Sequence, residues 1–230
     1  MVLSLRIVLK IGGHLFSRKD CLLDKKYLVN VSNILKECIK KTKKMVVVVG
    51  GGYIARNYID AGKGYLSESV LDTLGIEISR INASLLYSLV TETLLPRIPR
   101  SLEETLDRLT YYDFITIGGY QPGQSTTTVA ALIAEAIKAD KLLIATNVEG
   151  VYDSDPNLNP NAKLLKKVKA REIEDMFSKN LIAGEYRLLD IYSLKIIERS
   201  KINTIIFNGK NPENILRALK GMDIGTLIIP

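Results

Sequence analysis

Residues 45–52 read Met45-Val46-Val47-Val48-Val49-Gly50-Gly51-Gly52, a continuous apolar run that ends at a glycine triplet. A run that is apolar at every position is typical of a strand in a parallel sheet that is covered on both faces. Two further apolar runs end in the same way, at Gly12-Gly13 and at Gly118-Gly119. Segments with helical spacing separate the strands, so that strand and helix alternate along the chain. This alternation predicts an α/β protein with a mainly parallel central sheet.

The pattern of apolar runs and helical spacing also predicts where each strand and helix lies in the chain. We predict strands at residues 5–11, 45–49, 114–117, 141–145, 204–207 and 225–229, and helices at about 25–41, 53–61, 67–93, 126–138, 171–178, 191–200 and 212–219. The segment at 67–93 fits one helix or two. Its apolar pattern from Leu74 to Leu89 exceeds what one helix face needs for its own core, which predicts contact with a second copy of the chain.

Composition excludes several classes of protein. The chain has 230 residues, of which 47% are hydrophobic and 25% charged, as in ordinary globular domains and unlike disordered or collagen-like chains. Its longest apolar runs are far shorter than the ~20 residues that cross a bilayer. Two cysteines without a C-x-x-C pair cannot build a disulfide framework, so we expect a cytoplasmic protein with no membrane partner.

The basic excess is best explained by a solvated surface. The net charge is +7, and five lysines between Lys36 and Lys44 flank the apolar positions of a predicted helix without interleaved aromatic residues. Stacking on bases would need such aromatic residues, so we do not expect nucleic acid as a partner.

The three glycine loops point to bound phosphate. Ligands of open α/β sheets bind beyond the carboxyl ends of the strands, where glycine lets backbone N–H groups approach an anion and the next helix adds its positive end.

Two well-known phosphate-binding motifs, the dinucleotide fingerprint and the P-loop, fit these loops poorly. Gly50 to Ala55 matches G-x-G-x-x-A but ends the second strand rather than the first, and Gly118 to Ser125 lacks the P-loop lysine because Gln124 stands there.

Taken together, the loops resemble the amino-acid kinase superfamily and, within it, the archaeal-type uridylate kinases. The resemblance covers almost the whole chain. It is carried by Lys10-Ile-Gly-Gly-His14, Val47-Val-Val-Gly-Gly-Gly-Tyr-Ile-Ala-Arg56, Asp72-Thr-Leu-Gly75, Gly118-Gly-Tyr-Gln-Pro-Gly-Gln-Ser-Thr-Thr-Thr-Val-Ala-Ala131, Thr146-Asn-Val-Glu-Gly-Val-Tyr-Asp-Ser-Asp-Pro156 and Gly225-Thr-Leu-Ile-Ile-Pro230.

This resemblance implies a fold and a reaction. The fold would be a three-layer α/β/α sandwich forming a single domain over 1–230, with an acceptor lobe at 1–138 and an ATP lobe at 139–230. The reaction would transfer the γ-phosphoryl group of ATP, carried with Mg²⁺, to UMP, a step of pyrimidine nucleotide biosynthesis. The resemblance also implies a homohexamer built as a trimer of dimers.

It implies the site residues as well. UMP would be bound by Gly51, Asp72, Tyr120, Gln121, Pro122, Gly123, Gln124, Ser125 and Thr126. ATP would be bound through its phosphates by Gly12, Gly13, His14, Gly52 and Arg56, and through its adenosine by Thr146, Asn147, Tyr152 and Asp155. Lys10 and Lys195 would be the catalytic cations.

Residue chemistry agrees with the role of Lys10, because phosphoryl transfer needs charge neutralisation more than a covalent nucleophile. Lys195 fits a helix-surface role equally well. Superfamily members often carry an Asp where this chain has Thr127, which leaves open the carboxylate that orders the lysines. No residues have metal-site spacing, so Mg²⁺ would be held by ATP phosphates and water.

Other interpretations stay open at this point. Asp72 could cap a helix or accept hydrogen bonds from the ribose of UMP. The acceptor could instead be acetylglutamate, carbamate or isopentenyl phosphate, although the polar loop at 118–128 is a poor match for an isoprenoid tail. The chain could also be a non-catalytic nucleotide-binding regulator.

Overall fold

The computed structural model describes residues 5–18, 20–93, 97–156, 158–178 and 189–230. The strands are β1 (Arg6–Ile11), β2 (Lys44–Val49), β3 (Phe114–Ile117), β4 (Lys141–Thr146), β5 (Lys167–Lys169), β6 (Thr204–Asn208) and β7 (Thr226–Ile229). The helices are α1 (Lys25–Ile39), α2 (Gly52–Gly62), α3 (Glu68–Thr91), α4 (Leu102–Tyr111), α5 (Thr126–Ala136), α6 (Ala170–Ser178), α7 (Ile191–Ser200) and α8 (Glu213–Leu219).

The seven strands form one sheet in the order β3-β2-β1-β4-β6-β7-β5. All neighbouring pairs are parallel except β6 and β7, which run antiparallel. The carboxyl ends of β1, β2, β3, β4 and β6 therefore meet at one edge of the sheet. Strands from the first part of the chain lie on one side of β1 and those from the second part on the other, while the division at 138/139 stays a prediction.

Apolar side chains cover both faces of the sheet. Along β1, Ile7 and Leu9 pack into one core with residues of α1, α3 and α8. Val8 points the opposite way and packs with residues of α5 and α7. These two buried layers confirm the predicted α/β/α sandwich with a mainly parallel sheet.

Most predicted elements are present with bounds that differ by a few residues. The segment predicted at 67–93 forms one continuous helix, α3, and the closing strand β7 lies antiparallel to β6 and parallel to β5. Two elements were not predicted, α4 and the three-residue strand β5. Among the described residues, no helix combines the length and the apolar character that crossing a membrane requires.

Candidate active site

The first two glycine loops, residues 12–14 and 50–52, touch each other beyond the ends of β1 and β2. A Cβ at Gly13 would collide with the backbone of Gly50 and Gly52, and a Cβ at Gly52 would collide with the backbone of Gly13. Gly52 also has a φ of 66°, in the left-handed region that favours glycine. Side chains at these two positions would force the loops apart, so glycine is required here for close backbone approach.

Three cations, Lys10, Arg56 and Lys210, lie close enough to His14 of the first loop for their charges to act on it, and we call them the basic cluster. Burial lowers the pKa of Lys10 to about 8, and the charge of Asp190 opposes that lowering. Burial, followed by the charges of Lys10, Arg56 and Lys210, lowers the pKa of His14 to about 4. His14 is therefore neutral at pH 7, and its buried Nε2 has no hydrogen-bond partner among the described residues.

Lys210 was not predicted as a site residue. It follows β6, whose Asn208 is in register with Thr146 of β4. Two hydrogen bonds fix the preceding residue, since Gly209 N–H donates to the Thr146 carbonyl at 2.7 Å and the Tyr27 hydroxyl donates to the Gly209 carbonyl at 2.9 Å. A lone lysine after a strand has no distinguishing pattern in the sequence, and only the sheet order brings it to the first loop.

A cavity of about 390 Å³ opens between α2, α3 and the third glycine loop, residues 118–124. We call it the α3 cavity. Its volume lies within the range of small-molecule sites. It is lined by Gly51, Gly52, Ala55, Arg56, Ile59, Asp72, Gly75, Ile76, Ser79, Gly119, Gln121, Gln124 and Thr126. Five of the predicted UMP residues line it: Gly51, Asp72, Gln121, Gln124 and Thr126.

Asp72 lies inside α3 rather than at its start. The helix begins at Glu68 after Ser67 in the capping position, so the capping role for Asp72 is wrong. Its Oδ2 accepts a hydrogen bond from the Gly123 N–H at 2.7 Å. Gly123 has a φ of 74°, and this conformation turns its N–H toward α3. Asp72 therefore joins α3 to the third loop while lining the cavity.

The third loop is held from α3 by a second residue that the sequence did not identify. Arg80 donates to the carbonyls of Gly119 at 3.1 Å and Tyr120 at 2.9 Å, and its guanidinium is paired with Glu77. The Gly119 N–H donates to Ser79 Oγ at 2.7 Å. These bonds fix the backbone of the loop, so that its side chains project from a rigid base.

Not every predicted loop residue faces the α3 cavity. The Tyr120 hydroxyl lies 2.6 Å from Thr105 Oγ1 of α4, and burial raises the pKa of Tyr120. Ser125 caps α5 by accepting from the Thr128 N–H. Pro122 and Gly123 line a second cavity of about 410 Å³ between α5 and α7.

Lys195 lies on the outer part of α7. Its side chain is 62% exposed, and its Nζ lies 3.9 Å from Glu174 Oε1. It lines the second cavity and not the α3 cavity. This placement does not support the predicted catalytic role of Lys195.

Of the four predicted adenosine residues, Thr146 ends β4 and the other three lie in the loop that follows it. Thr146 is buried, and its hydroxyl lies 3.4 Å from Asn147 Oδ1. Tyr152 forms a bridge with Leu164, and the Asp155 carbonyl accepts from the Asn159 N–H at 2.8 Å. The loop that carries them lies on the opposite side of β1 from the α3 cavity, which allows two ligands to meet at the basic cluster.

No group of three His, Cys, Asp or Glu residues with metal-binding geometry occurs in the described part of the chain. Cations and backbone donors dominate the site instead. Such an arrangement is suited to stabilising negative charge on phosphate groups rather than to holding a metal ion through protein ligands.

Comparisons with known proteins agree with this geometry. The model of the amino acid kinase family matches residues 5–208. A uridylate kinase of Sulfurisphaera tokodaii is 41% identical over 229 residues, covering 98% of this chain and 100% of that protein. One of Thermofilum pendens is 42% identical, covering 96% of each chain. A crystal structure of uridylate kinase from Archaeoglobus fulgidus superposes with a TM-score of 0.86 at 34% identity, covering 97% of this chain and 99% of that one.

Proposed function

The chain belongs to the amino acid kinase family, and from that premise we propose that it is a UMP kinase, which transfers the γ-phosphoryl group of ATP to UMP and releases UDP and ADP. The observation that carries the proposal is the α3 cavity, whose lining combines the carboxylate of Asp72 with Arg56, a member of the basic cluster. A ribose that hydrogen-bonds to Asp72 would direct its phosphate toward Arg56, which lines the same cavity.

The donor would approach from the other side of β1. Its adenosine would lie near Thr146, Asn147, Tyr152 and Asp155, and its phosphates would lie on the first two glycine loops. α2 begins at Gly52, so the positive end of its dipole favours an anion there, although the Tyr53 N–H itself donates to Ser17 Oγ at 2.8 Å. The γ-phosphate would then lie between the two substrates and beside Lys10.

Catalysis would rest on positioning and charge. The transferring phosphoryl group carries negative charge on its equatorial oxygens, which cations fixed in a site of low dielectric stabilise. Lys10 and Lys210 would supply this charge to the donor. Arg56 was predicted from the sequence to bind the ATP phosphates, but it lines the α3 cavity, so it would bind the acceptor phosphate in line with the donor. His14 would stay neutral because its pKa is about 4, so it would donate a ring N–H to a phosphate oxygen and add no charge.

Magnesium would enter as the MgATP substrate. Bound to the ATP phosphates, it would neutralise part of their negative charge. The described residues offer it no protein-built cage, which fits an ion that prefers to keep phosphate and water ligands.

We further propose a cytoplasmic enzyme of pyrimidine nucleotide biosynthesis that assembles as a trimer of dimers. Support for assembly comes from α3, where the side chain of Ile81 is 62% exposed and that of Val70 is 44% exposed. Covering these side chains would favour contact between copies. Light scattering at micromolar concentration tests this, and a mass of only ~26 kDa would contradict it.

The experiment that tests the reaction measures ADP release and UDP formation with ATP and a panel of acceptors: UMP, CMP, dUMP, acetylglutamate, carbamate and isopentenyl phosphate. We expect UDP formation from UMP at the highest kcat/KM. Lys10→Ala should lose activity, whereas Lys40→Ala, which changes an exposed lysine after α1, should keep it. Phosphorylation of another acceptor in place of UMP would refute the proposal, and so would nucleotide binding without turnover.

A further inference from the structure

Asp190 is a carboxylate whose charge raises the pKa of Lys10. It is the N-cap residue of α7, and it accepts from the Ser193 N–H at 2.9 Å while its own N–H donates to Ser193 Oγ at 3.1 Å. This reciprocal capping box fixes the backbone on both sides of the carboxylate.

Two hydroxyl groups of α5 fix the carboxylate itself. Ser125 Oγ donates to Asp190 Oδ2 at 2.5 Å, and Thr128 Oγ1 donates to Asp190 Oδ1 at 2.7 Å. The same Ser125 Oγ accepts from the Thr128 N–H at 3.0 Å, so it caps α5 while it binds Asp190. The starts of α5 and α7 are thus joined through one carboxylate, which has little freedom to turn.

The charge of Asp190 reaches Lys10 without forming an ion pair. Among the described residues, no acidic oxygen lies within 4 Å of the Lys10 Nζ. Asp190 nevertheless raises the pKa of Lys10 against the larger effect of burial. The other charged groups near the first loop, Arg56 and Lys210, are cations, and His14 is neutral at pH 7.

We propose that Asp190 is a positioning residue for the phosphoryl transfer, a carboxylate locked by Ser125 and Thr128 that keeps the Lys10 ammonium charged while leaving its N–H donors free for phosphate. This inference rests on the proposed function. A direct ion pair would occupy the ammonium, whereas a carboxylate held further away stabilises the charge without competing for the donors. It also assigns a carboxylate to the role that the sequence left open at Thr127.

Asp190→Asn is the sharpest test, because it removes the charge but keeps a capping side chain. Its amide oxygen can accept from Thr128 Oγ1 and the Ser193 N–H, and its amide N–H can donate to Ser125 Oγ. Since kcat/KM reports the free enzyme, its loss at alkaline pH should follow the deprotonation of Lys10. We expect this alkaline limb to move about one pH unit lower in Asp190→Asn, with activity near pH 6 reduced less than twofold. Ser193→Ala, which removes the capping-box partner but keeps the charge, is the matched control and should retain the wild-type pH profile.

A second measurement reads Lys10 without turnover. The carbon-13 shift of the Lys10 Cε, assigned by its absence in Lys10→Arg, should titrate at lower pH in Asp190→Asn than in the wild type. If the wild type makes no UDP, the proposed function fails, and this titration still decides the role of Asp190. An unchanged Lys10 titration, together with an activity loss that is equal at every pH, would show that Asp190 only caps α7 and would overturn the inference.

Discussion

Replacing Lys10 by methionine should make the protein more stable at neutral pH while it removes most of the activity. Lys10 lies at the carboxyl end of β1, and burial lowers its pKa from the ordinary value near 10.5 to about 8. A lowered pKa means that the folded protein holds the charged form less favourably than the unfolded chain does. Methionine keeps a flexible stem of similar length and removes the buried charge.

The size of the effect follows from the two pKa values. Each pKa unit corresponds to 1.36 kcal/mol, so the lowering from 10.5 to about 8 corresponds to about 3 kcal/mol of unfavourable free energy below pH 8. Lys10 is partly exposed, and the solvent that reaches it reduces this unfavourable free energy. We therefore expect the free energy of unfolding of Lys10→Met at pH 7 to exceed that of the wild type by ~1–3 kcal/mol. Loss of a charge partner of the transition state should lower kcat by ~10²-fold or more.

The pH dependence has a definite sign. The unfolded chain keeps the Lys10 proton up to about pH 10.5, whereas the folded protein releases it near pH 8. The wild type therefore gains stability relative to Lys10→Met as the pH rises through this window, and the difference between them should shrink toward pH 10.5.

Urea unfolding at pH 7 and pH 10, together with the UMP assay at pH 7, measures both effects. Lys141→Met is a matched control, because Lys141 is also partly buried but lies at the amino end of β4, where its Nζ donates to the Leu219 carbonyl at 2.9 Å. This control should keep its activity. The reasoning is refuted if Lys10→Met is less stable than the wild type at pH 7 and the difference is the same at pH 10.

Three further outcomes are expected. Asp72→Asn should leave the melting temperature near that of the wild type, because Asp72 does not cap α3 and the amide oxygen can still accept from the Gly123 N–H, while kcat/KM for UMP falls ~10-fold and the preference for UMP over dUMP narrows; unchanged UMP kinetics would remove Asp72 from the site. Lys210→Ala should lower kcat/KM for ATP by ~10-fold, with Lys220→Ala as an exposed-lysine control that stays at wild-type activity, and equal behaviour of the two variants would exclude a phosphate role. His14→Gln should leave the shape of the kcat/KM pH profile between pH 5.5 and 7 unchanged, because a pKa of about 4 keeps His14 neutral throughout that interval. An inflection in that interval that is lost in His14→Gln would contradict this.

The alternation of apolar strands and helical segments determined the fold class from the sequence. A strand that is apolar at every position, such as 45–49, must bury both of its faces, which requires a helical layer on each side of the sheet. The structure confirms this, because β2 is buried on both faces. The sequence pattern did not predict β5, because a strand of three residues is too short to show a periodicity. It also missed α4, although Ser101 caps that helix in the expected way.

The glycine loops and their lysine could likewise be located in the sequence, because the chemistry of Gly12, Gly13 and Lys10 is local to one strand end. The charged groups that folding brings near Lys10 could not be located in this way. Asp190 and Lys210 lie about 180 and 200 residues along the chain from Lys10, and they reach the site only because β4 and β6 follow β1 in the sheet and α7 starts beside α5. Sequence spacing records local geometry, whereas the pKa of a buried ammonium depends on every charge that folding brings near it. The tertiary structure alone therefore decided which carboxylate sustains the charge of Lys10.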